Sequence, residues 1–323
     1  MPYLGKRVIC LNGDITLSKL GLTADRYEIL GRSIDCIIHS AAMVKYFGDY
    51  TGIEQVNVKG TREVVDFALR YDIKLNHIST VSVTGDYLVD NAVFGEFTER
   101  NFYVGQDVYG NIYVRSKFEA ENCLLKATQK GLRATIFRMG NLTGRYSDGL
   151  FQQNIADNAF YSAISSVVNT GIISEAILAE QIELTPIDCA ARAIAKIAAT
   201  NEADNRIFHI FNNKMLSVGH LLEMFRSINI IIRPMNNAQI EKLLRQELKN
   251  KNKRDPLQGM LVYLNDSGDL AHRATLDIKA DFTVDYLAKA GFFWPQIDQA
   301  YLSKVLEYMR SVNFLPAAVD RIV

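Results

Sequence analysis

Short runs of β-branched and aliphatic residues alternate along this chain with longer amphipathic stretches. A run of about five such residues suits a buried strand, and the stretches between the runs are long enough for crossover helices. This alternation is typical of βαβ units, so it predicts an α/β fold with a mostly parallel, doubly wound sheet. The predicted strands are Arg7 to Leu11, Cys36 to His39, Lys74 to Ile78, Ala134 to Arg138 and Ile207 to Phe211.

Apolar residues at helical spacing predict two helices packed on this sheet, from Glu54 to Tyr71 and from Tyr113 to Gln129. From about Leu216 the pattern becomes mainly helical. We therefore expect a main domain over residues 1–215 and a smaller lobe over residues 216–323, with returning segments. The lobe should contain helices at 218–228, 238–249, 284–290 and 297–312, with a polar stretch at 250–259.

Charge balance narrows the class of partner. Lysine and arginine together number 36, as do aspartate and glutamate, so the formal net charge is zero and no basic surface points to nucleic acid or to an anionic membrane. No apolar stretch approaches the ~18 residues of a membrane-spanning helix, and the first residues lack a signal peptide. These features predict a cytoplasmic protein that binds a small molecule or another protein.

The cysteines and histidines suggest neither a disulfide framework nor a metal site. Cys10, Cys36, Cys123 and Cys189 are scattered without a CxxC pair, and we expect them to be buried thiols in a reducing compartment. No cluster has metal-ligand spacing, and no GxSxG motif suggests a hydrolase.

Tyr113 and Lys117 form a YxxxK pair at the start of a predicted helix. Their four-residue spacing places both side chains on one helical face. A free phenol has a pKa near ~10, and a neighbouring ammonium lowers that pKa by favouring the phenolate. The pair can therefore transfer a proton, although by itself the same spacing also occurs on solvent-exposed helices without function.

Residues that could complete such a site follow the predicted strands, where doubly wound sheets bind ligands. One strand ends in Ser79 and Thr80, which makes Thr80 a candidate hydrogen-bond donor beside Tyr113. Another strand runs into Ser40-Ala41-Ala42, whose small side chains would let a bulky cofactor lie close to the backbone. Gly13-Asp14 follows the first strand and suits an adenine edge. Local roles stay open: Thr80 could cap its strand and Asp14 could form a turn.

Six segments, in this order, resemble the extended short-chain dehydrogenase/reductases, and within them the thioester reductase domains that terminate some nonribosomal peptide and polyketide synthases. The resemblance covers nearly the whole chain, and the later segments at 184–188 and 290–295 favour this branch over sugar epimerases. The six segments are Gly13-Asp14-Ile15, His39-Ser40-Ala41-Ala42, Asn57-Val58-Lys59-Gly60-Thr61, Ile78-Ser79-Thr80-Val81-Ser82-Val83, Tyr113 with Ser116-Lys117, and Arg138-Met139-Gly140-Asn141-Leu142-Thr143-Gly144.

This resemblance implies a Rossmann-like NAD(P)-binding domain with a substrate-binding lobe. It implies hydride transfer from NADPH, in preference to NADH, to a thioester on the phosphopantetheine arm of a peptidyl or acyl carrier protein, releasing an aldehyde or alcohol. Thr80 and Tyr113 would donate hydrogen bonds to the carbonyl oxygen, and Lys117 would tune Tyr113 and bind the ribose. The expected cofactor contacts are Asp14, Ile15, Ser40, Ala41, Ala42, Asn57, Ser79, Met139, Gly140, Asn141 and Leu142.

The family's opening strand and GxxGxxG turn, which bind the cofactor pyrophosphate, have no counterpart in this chain. The run near Val8 corresponds to the family's third strand, so we expect the first two βα units to be missing. Losing a central strand exposes ladder groups on its neighbours, which predicts an upstream polypeptide as partner. Two other interpretations stay open: a nucleotide-sugar epimerase or dehydratase of the same superfamily, and a noncatalytic remnant that only binds partners.

Overall fold

The computed structural model describes residues 5, 7–44, 48–85, 95–236, 238–240 and 276–315. Its α-helices are α1 (Ala24–Ser33), α2 (Tyr50–Glu54), α3 (Gly60–Arg70), α4 (Ile112–Thr128), α5 (Ala159–Thr170), α6 (Ile187–Ala198), α7 (Val218–Ser227), α8 (Asp281–Lys289) and α9 (Gln299–Ser311). Its strands are β1 (Cys36–His39), β2 (Lys74–Thr80), β3 (Glu96–Phe97), β4 (Ala134–Met139), β5 (Leu142–Thr143), β6 (Ile172–Ser174), β7 (Gln181–Ile182), β8 (Thr185–Pro186), β9 (Arg206–Ile210), β10 (Leu216–Ser217), β11 (Arg233–Met235) and β12 (Asp277–Ile278).

The central sheet has four strands in the order β1-β2-β4-β9, and β1, β2 and β4 are parallel. Its register pairs His39 with His77 and Thr80 with Met139. The carboxyl ends of these strands therefore lie at one edge, which is where ligands bind in open α/β sheets. This architecture confirms the predicted Rossmann-like α/β class.

The predicted strand from Arg7 to Leu11 is wrong, because these residues form no continuous strand. Ile9 is 79% exposed and Leu11 is 52% exposed, so the apolar run is not packed into the sheet. A β-branched run becomes a strand only when another strand pairs with it. Within the described residues β1 pairs with β2 alone and is an edge strand, and Ile38 on it is 55% exposed.

The expectation of four buried thiols is also wrong. Only Cys189 is buried, whereas Cys10 and Cys36 are exposed and Cys123 is intermediate. Cys10 lies in the segment that forms no strand and Cys36 opens the edge strand, so neither has a second layer packed over it. None of the four is in a disulfide.

Helices α3 and α4 pack on the sheet as predicted. Val64 and Ala68 of α3, Leu124 of α4, Leu75 of β2 and Ile136 of β4 belong to one buried apolar cluster. The predicted helix from Glu54 to Tyr71 is confirmed as α2 and α3 joined by one π-helical turn, 55–59. Among the described helices, none is long and apolar enough to cross a membrane.

The chain divides into two compact units with interleaved segments. The first contains the described residues of 1–139, 197–209 and 275–283, and the second those of 140–196, 210–274 and 284–323. The second unit has its own apolar core, in which Tyr161, Phe225, Tyr301 and Met309 are buried. The predicted division after residue 215 stays a prediction, and most of the predicted helix at 238–249, with the stretch at 250–259, lies outside the described residues.

Acid should destabilise this fold because His39 and His209 are buried as neutral rings. Burial lowers the pKa of His39 to about 4 and that of His209 to about 3, with further lowering by the charges of Lys117 and Arg138 respectively. The unfolded chain takes up these protons near pH ~6.5. Stability is therefore complete above that pH and falls as the pH approaches 4.

We expect each of these two histidines to remove about 2 kcal/mol from the free energy of unfolding between pH 7 and pH 5. Urea titrations at the two pH values measure this loss. His39→Gln should reduce it, whereas His220→Gln, on the exposed face of α7, should leave it unchanged. Equal unfolding free energies at pH 5 and pH 7 would contradict the assignment of buried neutral rings.

Candidate active site

Helix α4 presents the predicted proton-transfer pair to the sheet. The Asn111 side chain caps its first turn by accepting from the backbone N–H groups of Tyr113 (2.9 Å) and Val114 (3.2 Å), which fixes where the helix begins. Tyr113 and Lys117 are 8% and 4% exposed. Both residues therefore belong to the inward face of α4, and the alternative of a solvent-exposed YxxxK pair is excluded.

The Lys117 ammonium is anchored on β2. Its Nζ donates a hydrogen bond to the Ile78 carbonyl oxygen at 2.8 Å, two residues before Thr80. Burial lowers the pKa of Lys117 to about 8, and the Glu121 carboxylate acts in the opposite direction. A lysine held at this pKa is still mostly charged at neutral pH, as a partner of a tyrosine acid requires.

Thr80 ends β2 and is buried. Its hydroxyl accepts from the Ser82 backbone N–H and donates to the Ser82 hydroxyl, both at 3.1 Å, so it caps the 3-10 turn of residues 81–84. Helix α4 packs against β2 and against this turn. The capping role left open from the sequence is therefore present, and a role as donor to substrate requires the hydroxyl to rotate away from Ser82.

Asn57 links the segment after β1 to helix α4. Its side-chain amide donates to the Met43 carbonyl and the Ser116 hydroxyl, both at 2.9 Å, and its oxygen accepts from the Met43 backbone N–H at 2.7 Å. Ser116 in turn donates to the Tyr113 carbonyl at 2.8 Å. Asn57 is 2% exposed, so it presents little surface to a ligand. Its hydrogen bonds instead connect the segment after β1 to helix α4.

The three small residues after β1 leave the backbone accessible. Ser40 and Ala41 are exposed, and Ala42 is half-buried. Their backbone lies at the same edge of the sheet as Thr80, because β1 and β2 are parallel and in register. This accessible surface agrees with the sequence prediction that a bulky cofactor could lie close to the backbone here.

Two buried histidines lie next to Lys117. The rings of His39 and His77 are 5.2 Å apart, and the charge of Lys117 adds to burial in lowering both pKa values. His39 Nε2 hydrogen-bonds the Thr61 hydroxyl at 3.0 Å. Neither ring nitrogen of His77 has a hydrogen-bond partner among the described residues. Both rings are therefore core residues, but only His39 has a hydrogen-bond partner among the described residues.

A buried ion pair behind this site was not predicted from the sequence. Arg138 and Glu121 are both 0% exposed, with an Arg138 terminal nitrogen 2.7 Å from Glu121 Oε2. Ser79, one of the expected cofactor contacts, donates its hydroxyl to Glu121 Oε1 at 2.6 Å. The sequence feature that could have revealed this pair is Arg138 itself, which lies inside β4, where every residue is buried. A charged side chain on a fully buried strand needs a partner of opposite charge.

The expected contacts Gly140, Asn141 and Leu142 belong to the second unit. The Asn141 backbone N–H donates to the Glu183 carboxylate, which also accepts from the Thr185 hydroxyl at 2.6 Å. Burial raises the pKa of Glu183 to about 7, against the opposing effect of these two hydrogen bonds. A Cβ at Gly140 would collide with Glu183 and Phe211, so only glycine fits this turn.

The expected adenine contacts lie in a turn near the N-terminus. The Asp14 carboxylate accepts from the Thr16 backbone N–H at 2.8 Å and from the Thr16 hydroxyl at 2.7 Å, and these hydrogen bonds lower its pKa. Ile15 packs on Gly60 at the start of α3, where a side chain would collide with it. Asp14 is thus a turn former, and its exposed carboxylate stays a predicted contact. No metal-binding cluster of His, Cys, Asp and Glu is present among the described residues.

Comparison with known proteins agrees with the resemblance. Over 307 residues the chain is 23% identical to a linear gramicidin synthase protein of Brevibacillus parabrevis, covering 94% of this chain and 6% of that protein. It is 31% identical to the solved thiolation-reductase di-domain of an archaeal non-ribosomal peptide synthetase, with a TM-score of 0.80. That match covers 96% of this chain and 63% of the di-domain. The chain therefore spans only part of each relative.

A solved UDP-glucuronic acid 4-epimerase from Bacillus cereus is more distant, with 14% identity and a TM-score of 0.58 over 88% of this chain and 77% of that one. The reductase-domain likeness is thus the stronger of the two. Residues 3–194, more than half of the chain, match the family NAD_binding_4, described as "Male sterility protein". The chain belongs to this family of NAD-binding proteins, and its relatives include the terminal reductase domains of nonribosomal peptide synthetases.

Proposed function

We propose that this chain reduces an acyl or peptidyl thioester carried on the phosphopantetheine arm of a carrier protein, releasing an aldehyde or an alcohol. The observation that supports it most is the buried Tyr113 and Lys117 face of α4, with the Lys117 ammonium 2.8 Å from the Ile78 carbonyl at the end of β2. A tyrosine beside a fixed ammonium can protonate an oxygen on which negative charge develops.

A bound nicotinamide, NADPH in preference to NADH, supplies the hydride. As the new C–H bond forms at the thioester carbonyl carbon, Tyr113 would give its proton to the carbonyl oxygen. The C–S bond would then break, with the hydroxyl proton passing to the departing sulfur, to give the aldehyde and the free thiol of the arm. Reduction to the alcohol would need a second NADPH and a second proton. Lys117 stabilises the phenolate that Tyr113 becomes, and Thr80 donates a hydrogen bond to the same oxygen.

We propose ten of the eleven residues expected from the sequence as cofactor contacts. The eleventh, Asn57, is 2% exposed, and we propose that it supports the site through Met43 and Ser116. Accessible residues at Ser40 and Ala41 support contact with a flat, bulky group. No glycine-rich turn in this chain would hold the pyrophosphate. We therefore also propose that polypeptide outside residues 1–323 supplies this turn and pairs a parallel strand with β1, where Ile38 is exposed.

The test uses a carrier protein loaded with an acyl thioester, NADPH, and either the 323-residue chain or that chain joined to a βα segment that carries a GxxGxxG turn. Absorbance of reduced nicotinamide follows turnover. We expect consumption of NADPH with release of aldehyde or alcohol. Turnover of a UDP-sugar in its place would support the epimerase alternative. The lack of both turnover and dinucleotide binding in the joined protein would instead support a noncatalytic remnant.

Turnover should decline above about pH 8. Lys117 is protonated below its pKa of about 8 and neutral above it. Once it is neutral, the phenolate of Tyr113 loses its stabilising charge, and proton delivery becomes less favourable. A pH profile of kcat under saturating substrates measures this limb. A kcat that keeps rising through pH 9 would contradict the need for a charged Lys117.

A further inference from the structure

Helix α4 carries a second buried charged residue on its inward face. Tyr113, Lys117 and Glu121 follow one another at four-residue intervals, so they lie in one row along the helix. Glu121 is 0% exposed. It stands one turn beyond Lys117 on the side away from Tyr113, which places it out of reach of the proton that Tyr113 transfers.

Hydrogen-bond donors surround both carboxylate oxygens of Glu121. Arg138 Nε lies 3.1 Å and 3.2 Å from the two carboxylate oxygens, and a terminal nitrogen lies 2.7 Å from Oε2. The Ser79 hydroxyl donates to Oε1 at 2.6 Å. All these groups are donors, and donors that converge on both oxygens are what a carboxylate accepts.

Arg138 is itself fixed by the sheet and the loop beside it. It donates to the Asn101 carbonyl at 2.9 Å, lies 3.3 Å from His209 Nε2, and stacks over the Phe97 ring with 4.9 Å between guanidinium carbon and ring centre. The Glu121 carboxylate therefore cannot move to another position without breaking its hydrogen bonds to Arg138 and Ser79.

Four groups face Lys117 from the elements packed around it: His39 on β1, His77 on β2, and Tyr113 and Glu121 on α4. The two histidines are neutral, since burial and the Lys117 charge lower their pKa values. Among the described residues, Glu121 is the carboxylate that opposes the effect of burial on the Lys117 pKa. The charged form of Lys117 is thus favoured by one buried carboxylate, that of Glu121.

We propose that Glu121 is a positioning residue: its buried carboxylate, fixed by Arg138 and Ser79 one helical turn from Lys117, supplies the negative charge that favours the ammonium form of Lys117. This inference rests on the proposed reductase function for its meaning, but Lys117 and Glu121 can be studied without turnover. Arg138 and Ser79 act through Glu121 by fixing its carboxylate. Burying an ammonium with no anion nearby would favour the neutral amine and remove the charge that stabilises a phenolate.

The test is an NMR titration of the 323-residue chain with 13C-labelled lysine side chains, with the Lys117 signal assigned from Lys117→Met. Glu121→Gln keeps the shape of the side chain and removes its charge. We expect the pKa of Lys117 to fall by about one unit or more, the size of effect that an opposite charge within several ångström has. Glu119→Gln is the matched control, because Glu119 on the same helix pairs with Arg115 and Tyr50 and should leave the Lys117 pKa unchanged.

Loss of one partner of a buried ion pair can prevent folding, so the double variant Glu121→Gln/Arg138→Met is titrated as well. It removes both charges, which a protein interior tolerates better than an unpaired arginine. A fall of the Lys117 pKa in the same direction but smaller is expected in it, because the Arg138 charge that partly offsets Glu121 is lost as well. An unchanged Lys117 pKa in either folded variant would overturn the proposal. Because no substrate is present, this outcome is distinct from failure of the reductase assay.

Discussion

Replacing Tyr113 by phenylalanine should lower turnover in the proposed thioester reductase assay by roughly 100-fold or more while leaving dinucleotide affinity nearly intact. The change removes one hydroxyl, so hydride transfer would have to proceed without the acid that protonates the developing oxyanion, a contribution of about this size. The buried ring, 8% exposed, stays the same shape. Values of kcat from NADPH absorbance, together with the dissociation constant for NADPH, measure the two quantities.

Tyr109→Phe is the matched control, because Tyr109 is 68% exposed just before α4. It should reduce turnover by less than about twofold, as expected for a surface hydroxyl outside the chemistry. Full activity in Tyr113→Phe would remove Tyr113 from the mechanism. An equal loss in both variants would indicate a general disturbance of this part of the helix.

Replacing Arg138 by methionine should lower the free energy of unfolding by about 3–5 kcal/mol, the usual cost of leaving one member of a buried ion pair without its partner. Arg138 is fully buried and pairs with the equally buried Glu121. Its loss also leaves the Asn101 carbonyl without this donor. Urea titration of the 323-residue chain measures the change.

Arg133→Met provides the comparison at an exposed ion pair. Arg133 lies 3.5 Å from Asp72, and its side chain is 41% exposed, so its removal should cost no more than about 1 kcal/mol. A loss of similar size for Arg138→Met would show that the pair inside the sheet contributes no more than a surface contact.

The sequence predicted the fold well wherever local pattern and tertiary pairing agree. The runs at Cys36, Lys74 and Ala134 became β1, β2 and β4, because each has a neighbouring strand to pair with. The run at Arg7 is similarly rich in aliphatic residues, but it has only an isolated bridge at Val8 and is not a strand. Pairing is a non-local property, so residue composition alone could not distinguish these two outcomes.

The parts of the candidate site that could be predicted are those set by residue spacing on a helix and by the ends of strands. The four-residue interval between Tyr113 and Lys117 implied a shared helical face, and both side chains are buried on it. The capping bond of Thr80 to Ser82 was left open as an alternative. The engagement of Ser79 by Glu121 could not be seen, because it depends on which face of β2 meets α4.

Contacts of charged residues with partners far away in the chain were the least predictable feature of the site. Arg138 and Glu121 are seventeen residues apart on a strand and a helix, and Glu183 meets Asn141 from forty-two residues away. A buried charge signals that a partner exists but does not identify it. Only the folded geometry shows that Glu121, rather than another carboxylate, pairs with Arg138.

The most direct test of the central claim follows the hydride itself. NADPH deuterated at the transferring position is mixed with a carrier-bound acyl thioester and the complete reductase, and the released product is analysed by mass spectrometry. The account predicts one deuterium on the former carbonyl carbon of the aldehyde, or two in the alcohol, with the free thiol of the arm as co-product. An unlabelled product, or a thioester left intact although the dinucleotide binds, would contradict it.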